Sequence, residues 1–222
     1  MLYDGQNTES VALSQAGAHL YFRIGLHPGF SPQGGFTNLP LWLDVCSMNV
    51  LIWFKRDLRL QDHPALASAA VTGAVLPLYI VEPDLWRQTD ASARQWDFIA
   101  DSLADLRSAL GALGAPLVVR MGDAVEVLDR LCRQHHIARI FSHEETGNLW
   151  TYARDRRVAA WARGAGVIWH EAPQQGVIRR LPHRDGWARR RDGFVAAPQA
   201  PAPLALTPVA GVEPGAIPTA RA

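Results

Sequence analysis

The sequence is poor in most of the features that announce a function. It has two cysteines, Cys46 and Cys132, in no CxxC or zinc-ligand spacing. That excludes a disulfide framework and a zinc finger, and it fits a reducing compartment, the cytoplasm. No apolar run approaches the roughly 18 residues of a membrane-spanning helix. No basic residue precedes Arg23, which argues against a secretory signal. Lysine is all but missing: Lys55 stands alone, and the other 21 of the 22 Lys and Arg residues are arginine. Net charge is only +1, so nothing global demands a polyanionic partner. There is no GxGxxG, GxxxxGK[ST], GxSxG or HExxH, so the common phosphate loops, the nucleophile elbow and the helical zinc-protease site are absent.

What remains is enough to fold. Across 222 residues the chain is 48% hydrophobic, which excludes a uniformly disordered chain and allows one large domain or two small ones. Residues 1–47 show no sustained period. His27 to Pro40 is dense in Gly and Pro, so this region reads as a disordered leader or a spurious extension upstream of a start at Met48. Residues 48–195 alternate between two periods. Asn49–Phe54 and Ala74–Val81 are apolar runs of the kind buried on both faces of a sheet, with Pro77 marking an irregularity in the second. Leu117–Arg120, Ile137–Phe141 and Val167–Trp169 complete five strands.

Helices are predicted between them. His63–Val71 is Ala-rich. Trp96, Ile99, Leu103, Leu106, Leu110 and Leu113 form one apolar stripe, capped by Asp90 or Ser92. Asp123 and Glu126 open a helix with Val125, Leu128, Leu131 and Cys132 inward. Leu149–Arg163 is expected to face inward through Trp150, Ala153, Ala160 and Trp161. Alternating strands and helices imply an α/β fold: a five-stranded parallel, Rossmann-like sheet with helices on both faces. Right-handed crossovers restrict the topology sharply, and the order adopted is 3-2-1-4-5. Residues 196–222 are rich in Pro and Ala and read as an extended linker.

In such a sheet, ligands bind beyond the carboxyl ends of the strands, where strand order reverses. That crevice lies between strands one and four. Lys55, Arg56, Asp57 and Arg59 follow strand one, Glu82 ends strand two, Arg94 opens the long helix, and Glu144 and Glu145 follow strand four. Arginines there would take phosphate or carboxylate tails, and carboxylates would take ring nitrogens. Local ion pairs and turn caps would explain the first segment equally well. His143-Glu144-Glu145 is not expected to hold a metal, because adjacent residues seldom aim at one point. A basic run from Arg179 to Arg191, interleaved with Leu181, Trp187 and Phe194, suits either a nucleic-acid backbone or a solvated face.

The blocks LIWFKRDLRLQDHPAL (Leu51 to Leu66), SARQWDFIADSLADLRSALGALGAPLVVRMGDA (Ser92 to Ala124) and HEETGNLWTYARD (His143 to Asp155) resemble DNA photolyases and cryptochromes. GVIRRLPHRDGWARRRD (Gly176 to Asp192) and LTPVAGVEPGAIPTA (Leu206 to Ala220) resemble the next segments of some bacterial members. The resemblance covers Asn49 to Ala222 and implies the family's light-harvesting α/β domain, which can hold an antenna such as FMN, a deazaflavin or a folate, or none. It also implies that FAD, the lyase chemistry on pyrimidine dimers and the main DNA contacts belong to a helical domain beyond a truncated linker. This chain would then bind DNA weakly or not at all, and carry no catalytic residue of its own. Aligning on Arg154-Asp155 puts Thr151 near the place of a pterin-binding Glu, which tells against folate. The family often has Asn where this chain has His63. Two other readings are a non-catalytic nucleotide-binding or interaction module on the same fold, and an inactive gene fragment.

Overall fold

The computed structural model describes residues 48–219, apart from 175, 180 and 182. The expected leader at 1–47 and Arg180 of the basic run lie outside the described residues. The elements follow in the order β1 (Asn49–Phe54), α1 (Pro64–Thr72), β2 (Ala74–Val81), α2 (Pro83–Trp86), α3 (Ala93–Ala112), β3 (Val118–Met121), α4 (Ala124–Gln134), β4 (Arg139–His143), α5 (Leu149–Ala165), β5 (Ile168–Ala172) and α6 (Trp187–Ala196). All strand pairs are parallel and the order is β3-β2-β1-β4-β5, as the sequence predicts.

Alternation along the strands builds two cores. Val50, Ile52 and Phe54 of β1 turn to one face and pack with Leu66 of α1 and with Trp96, Leu103, Leu106 and Leu110 of α3. Leu51 and Trp53 turn to the other face and meet Leu128 and Leu131 of α4 and Val158 of α5. Both faces of β1 are therefore dry, which is why its sequence is an unbroken apolar run. Ser92 caps α3 through the Gln95 N–H, and Asp123 caps α4 through the N–H groups of Val125 and Glu126.

Three expectations change. First, α5 faces inward through Thr151, Arg154, Asp155, Val158 and Ala162, whereas Ala153 and Ala160 are exposed. A buried ion pair sets that face, and hydrophobic periodicity cannot register it. Second, β4 runs two residues further than predicted and carries Ser142 and His143 into the interior. Third, the Pro-rich segment is fastened to the domain. Val75 donates to the Thr207 carbonyl (2.7 Å) and accepts from Val209 (3.2 Å); Val119 donates to the Pro214 carbonyl (2.7 Å). Leu206 and Val209 are buried. The strap covers the open side of early β2 and the outer edge of β3, where unpaired N–H and C=O groups would otherwise face solvent. Pro77 lies two residues beyond Val75, in the stretch of β2 before β3 begins to pair at Leu78. A missing N–H there deprives no ladder partner.

Candidate functional site

The carboxyl ends of β1, β2 and β4 deliver an unusual number of charges into the interior. Arg154, projecting from α5, is the hub. It donates to Glu82 at the end of β2 and to Asp155 Oδ1 (Nε, 2.9 Å), and its Nη2 lies 3.7 Å from Glu145 Oε2. Its guanidinium also sits 4.8 Å from the centre of the Trp53 ring, a cation–π contact. Lys55 Nζ lies 3.4 Å from Asp155 Oδ2 and 4.7 Å from the same Trp53 ring. Arg154, Glu82 and Asp155 are each under 5% exposed, so these charges survive only because they are paired. Burial pushes the Glu82 carboxyl above its usual range, with Arg154 pulling against it. Burial pushes the Lys55 ammonium down, with Asp155 opposing. For Arg154 burial acts downward, but Glu82 and Asp155 outweigh it and the net shift is upward.

A cavity of about 480 Å³ opens beside this cluster, within the size range of small-molecule sites. Trp53, Lys55 and Arg56 line it from β1 and its end, and Tyr79 and Glu82 from β2. Trp86, Gln95 and Ile99 come from α2 and α3, and Glu145, Asn148 and Arg154 from the far wall. Three polar atoms of these lining residues are shut from solvent without a hydrogen-bond partner: Glu82 Oε1, Arg154 Nη2 and Trp86 Nε1. Arg56, its side chain 58% exposed, reaches Glu145 Oε1 at 3.5 Å. Gly147 allows this approach, since a Cβ there would stand 2.8 Å from Glu145 Oε1 and 2.9 Å from both Arg56 Nη2 and Thr151 Oγ1.

Of the eight residues singled out in the sequence, Lys55, Arg56, Glu82 and Glu145 therefore line one cavity. The other four are elsewhere. Asp57 is a buried brace. It accepts from the Lys55 N–H (2.8 Å), and its Oδ2 lies 2.6 Å from His143 Nδ1 and 2.9 Å from His63 Nε2, the latter an ion-pair distance without hydrogen-bond alignment. The two histidines outweigh burial and hold the Asp57 carboxyl well below the usual carboxylate range. His63 Nδ1 accepts the Leu66 N–H and caps α1, the service an Asn would perform. Asp57, His63 and His143 bring ligand-type atoms within 4.8 Å of one another. Of the two contacts to Asp57 Oδ2, only that of His143 Nδ1 has hydrogen-bond alignment.

Arg59 donates to the Asp62 carbonyl (2.8 and 3.1 Å) and ties a turn. Arg94 sits outside the cavity with Ser92, Gln95 and Phe98 along the start of α3. Glu144 accepts from Arg179 (3.1 Å), which also donates to Glu171 (2.7 Å). Arg179 thus leaves the basic run, whose arginines at 184, 189, 190 and 191 stay exposed. The crevice expected directly between β1 and β4 is filled by the Asp57 brace and Lys55, and the cavity opens instead over β1 and β2. Sequence reading missed Arg154 as a site residue, along with Trp86, Gln95 and Asn148. The adjacent Arg-Asp pair on a helix was the available signal. Among the described residues, no helix is long and apolar enough to cross a membrane.

The fold and the ion cluster define a doubly wound α/β domain with a ligand-sized cavity at the carboxyl ends of its strands. The family model for DNA photolyase matches residues 50–180, and the chain belongs to that family. A 97-residue stretch is 41% identical to the deoxyribodipyrimidine photo-lyase of Salmonella typhimurium, covering 41% of this chain and 20% of that protein. Over 190 residues the chain is 32% identical to cryptochrome DASH of Gloeobacter violaceus, covering 78% and 38%. The crystal structure of a bacterial class III photolyase from Agrobacterium tumefaciens superposes with a TM-score of 0.62 at 25% identity, over 77% of this chain and 37% of that one. The chain thus spans under two fifths of the length of each of these relatives.

Proposed function

We propose that this domain holds a light-harvesting chromophore in the cavity beside Arg154 and serves a photolyase or cryptochrome that acts on DNA. The observation that carries the reading is a cavity of about 480 Å³ at the carboxyl ends of the strands, walled by Trp53 and Tyr79 and by the paired charges of Lys55, Glu82 and Arg154. The bound group would supply light absorption and pass its excitation to a flavin in the remainder of the protein. Energy transfer asks only that the group be held at a set distance and orientation, so the domain needs no acid or base.

The chain's own residues divide that work. Glu82 and Arg154 hold polar atoms of the ring, fixed in turn by Asp155 and Glu145. Trp53 and Tyr79 provide aromatic walls, and burial of that surface excludes water. Arg56 at the mouth is placed for a phosphate or carboxylate tail. Thr151, near the place of a pterin-binding Glu in folate-binding relatives, commits its hydroxyl to the Asn148 carbonyl (2.9 Å). That favours FMN or a deazaflavin. The lyase named in the Salmonella relative would act through the FAD-bearing remainder, in the cytoplasm, with weak or no DNA binding by this part. The test is reconstitution: purified protein soaked with FMN, a deazaflavin or a folate and passed through a desalting column retains one of them. If a folded sample releases all three, the reading fails.

A further inference from the structure

We infer that the connection between α2 and α3, residues 87–91, is a lid over the cavity, held shut by a latch between Asp90 and Asn148. This rests on the reading that the cavity holds a chromophore and goes further by stating how such a ligand enters and leaves. Asp90 and Ala91 line the cavity from this connection, and Asn148 lines it from the far wall. Asn148 Nδ2 donates to both carboxylate oxygens of Asp90, at 2.9 and 3.2 Å. The bond is exposed and joins positions 58 residues apart, so it bridges the two walls where the cavity meets solvent. Among the described residues, every other hydrogen bond of residues 87–91 is local. The Arg87 N–H donates to the Pro83 carbonyl, that of Gln88 to Leu85 and that of Ala91 to Gln88. The side chains of Arg87 and Gln88 return to Asp84. Arg87, Thr89 and Asp90 are exposed, so packing adds little.

The segment therefore has two fixed ends and a middle secured at one place. Trp86 meets Trp96 edge-on, ring centres 5.0 Å apart, and holds the start. Ser92 caps α3 and holds the end. Between them, one solvent-exposed bonding pair decides whether the cavity is roofed. Segments with few tertiary bonds open locally at low free-energy cost, whereas the wall behind this one is tied by the buried pairs of Arg154 with Glu82 and Asp155. A closed roof excludes water and retains what is bound, an open one releases it, and the latch sets the balance. Asn148 suits the task because its two side-chain atoms serve different ends. Its Oδ1 accepts the Thr151 N–H (3.0 Å) and caps α5, while Nδ2 turns to Asp90.

Asn148→Asp separates the two roles. A carboxylate caps a helix as well as an amide does, so α5 keeps its start. The donor that faced Asp90 becomes a second negative oxygen, and the latch repels. The double variant Asp90→Asn with Asn148→Asp exchanges donor and acceptor and restores the bond. The probe is FMN, mixed with each protein by stopped flow and followed by its fluorescence for association and, after dilution, for release. Asn148→Asp should raise both rates roughly 3- to 10-fold, as expected from losing one exposed bond to a charged group, and the double variant should bring both back. In ligand-free protein, amide hydrogen exchange at Arg87, Gln88 and Ala91 should quicken in the single variant and recover in the double. Faster release with unchanged association would make Asn148 a plain ligand contact and overturns the lid. Single-variant rates and amide exchange equal to wild type, or a double variant that does not recover, overturn it as well. Those outcomes leave the chromophore reading standing. Failure of FMN to bind counts against that reading, and the amide exchange, which needs no ligand, then decides the lid alone.

Discussion

Replacing Arg154 by methionine tests whether the buried ion cluster holds the α/β domain together. Methionine preserves much of the packing against Trp53 but removes the guanidinium. Among the described residues, Glu82 then keeps no charged partner, Asp155 keeps only Lys55 at 3.4 Å and Arg179 at 4.0 Å, and Glu145 keeps only Arg56. Removing one member of a buried pair costs about 3–5 kcal/mol, and for a domain of this size each kcal/mol moves the melting point by roughly 2–4 °C. A fall of roughly 6–20 °C is therefore expected. The loss should depend on pH with a definite sign. Burial already raises the Glu82 carboxyl and Arg154 restrains it; without Arg154 the folded value rises further above the unfolded value. A raised folded value contributes stability at low pH that is lost as pH climbs through it. The variant should therefore lose less, relative to wild type, at pH 5 than at pH 8. Thermal unfolding followed by circular dichroism at both pH values reads this directly. A loss below about 1 kcal/mol, the scale of an exposed ion pair, or an equal loss at both pH values, would refute the reasoning.

Three further outcomes are expected. His63→Asn keeps a capping side chain whereas His63→Ala costs about 1 kcal/mol. Burial pushes the His63 imidazole below its ordinary range, so its neutral form stabilises the fold above roughly pH 6.5 and that contribution fades as pH falls. His63→Asn should accordingly flatten the stability slope between pH 7.5 and 5, and parallel slopes in urea titrations would reject this. Leu206→Ala, in the strap over the sheet edge, should lower the urea midpoint by the equivalent of about 2–4 kcal/mol; a surface-like change within about 0.5 kcal/mol would mean the strap contributes little. Gly147→Ala pushes aside the flexible ends of Glu145 and Arg56. It should weaken FMN binding several-fold in fluorescence titration while the melting point moves by no more than a few degrees, and a strong loss of stability with unchanged affinity would contradict the placement of the mouth.

The fold was legible because it is written in hydrophobic pattern. β1 and β2 are apolar runs, and their ends agree with the structure to the residue. The α3 stripe points inward as spaced, with Trp96, Leu103, Leu106 and Leu110 buried and Ile99 and Leu113 packed at the margin. Legibility failed where burial depends on charge pairing. Arg154 and Asp155 look like solvent-facing residues one at a time, and reading them so turned α5 by the wrong face. Ser142 and His143 fall outside the predicted β4 for the same reason, since a polar residue in a strand looks like its end.

Taken alone, the sequence determined the α/β class, the parallel sheet and the identity of the segments that end at the sheet's carboxyl edge. These depend on local period and on the handedness of short connections, both of which are present in one dimension. Only the tertiary structure decided which charges meet. Glu82 and Arg154 are 72 residues apart in the chain, Lys55 and Asp155 are 100 apart, and the strap joins the sheet from beyond its last strand. Desolvation makes each of those charges untenable alone and stable in company, and that company exists only once β1, β2, the β4–α5 connection and α5 have converged on one cavity.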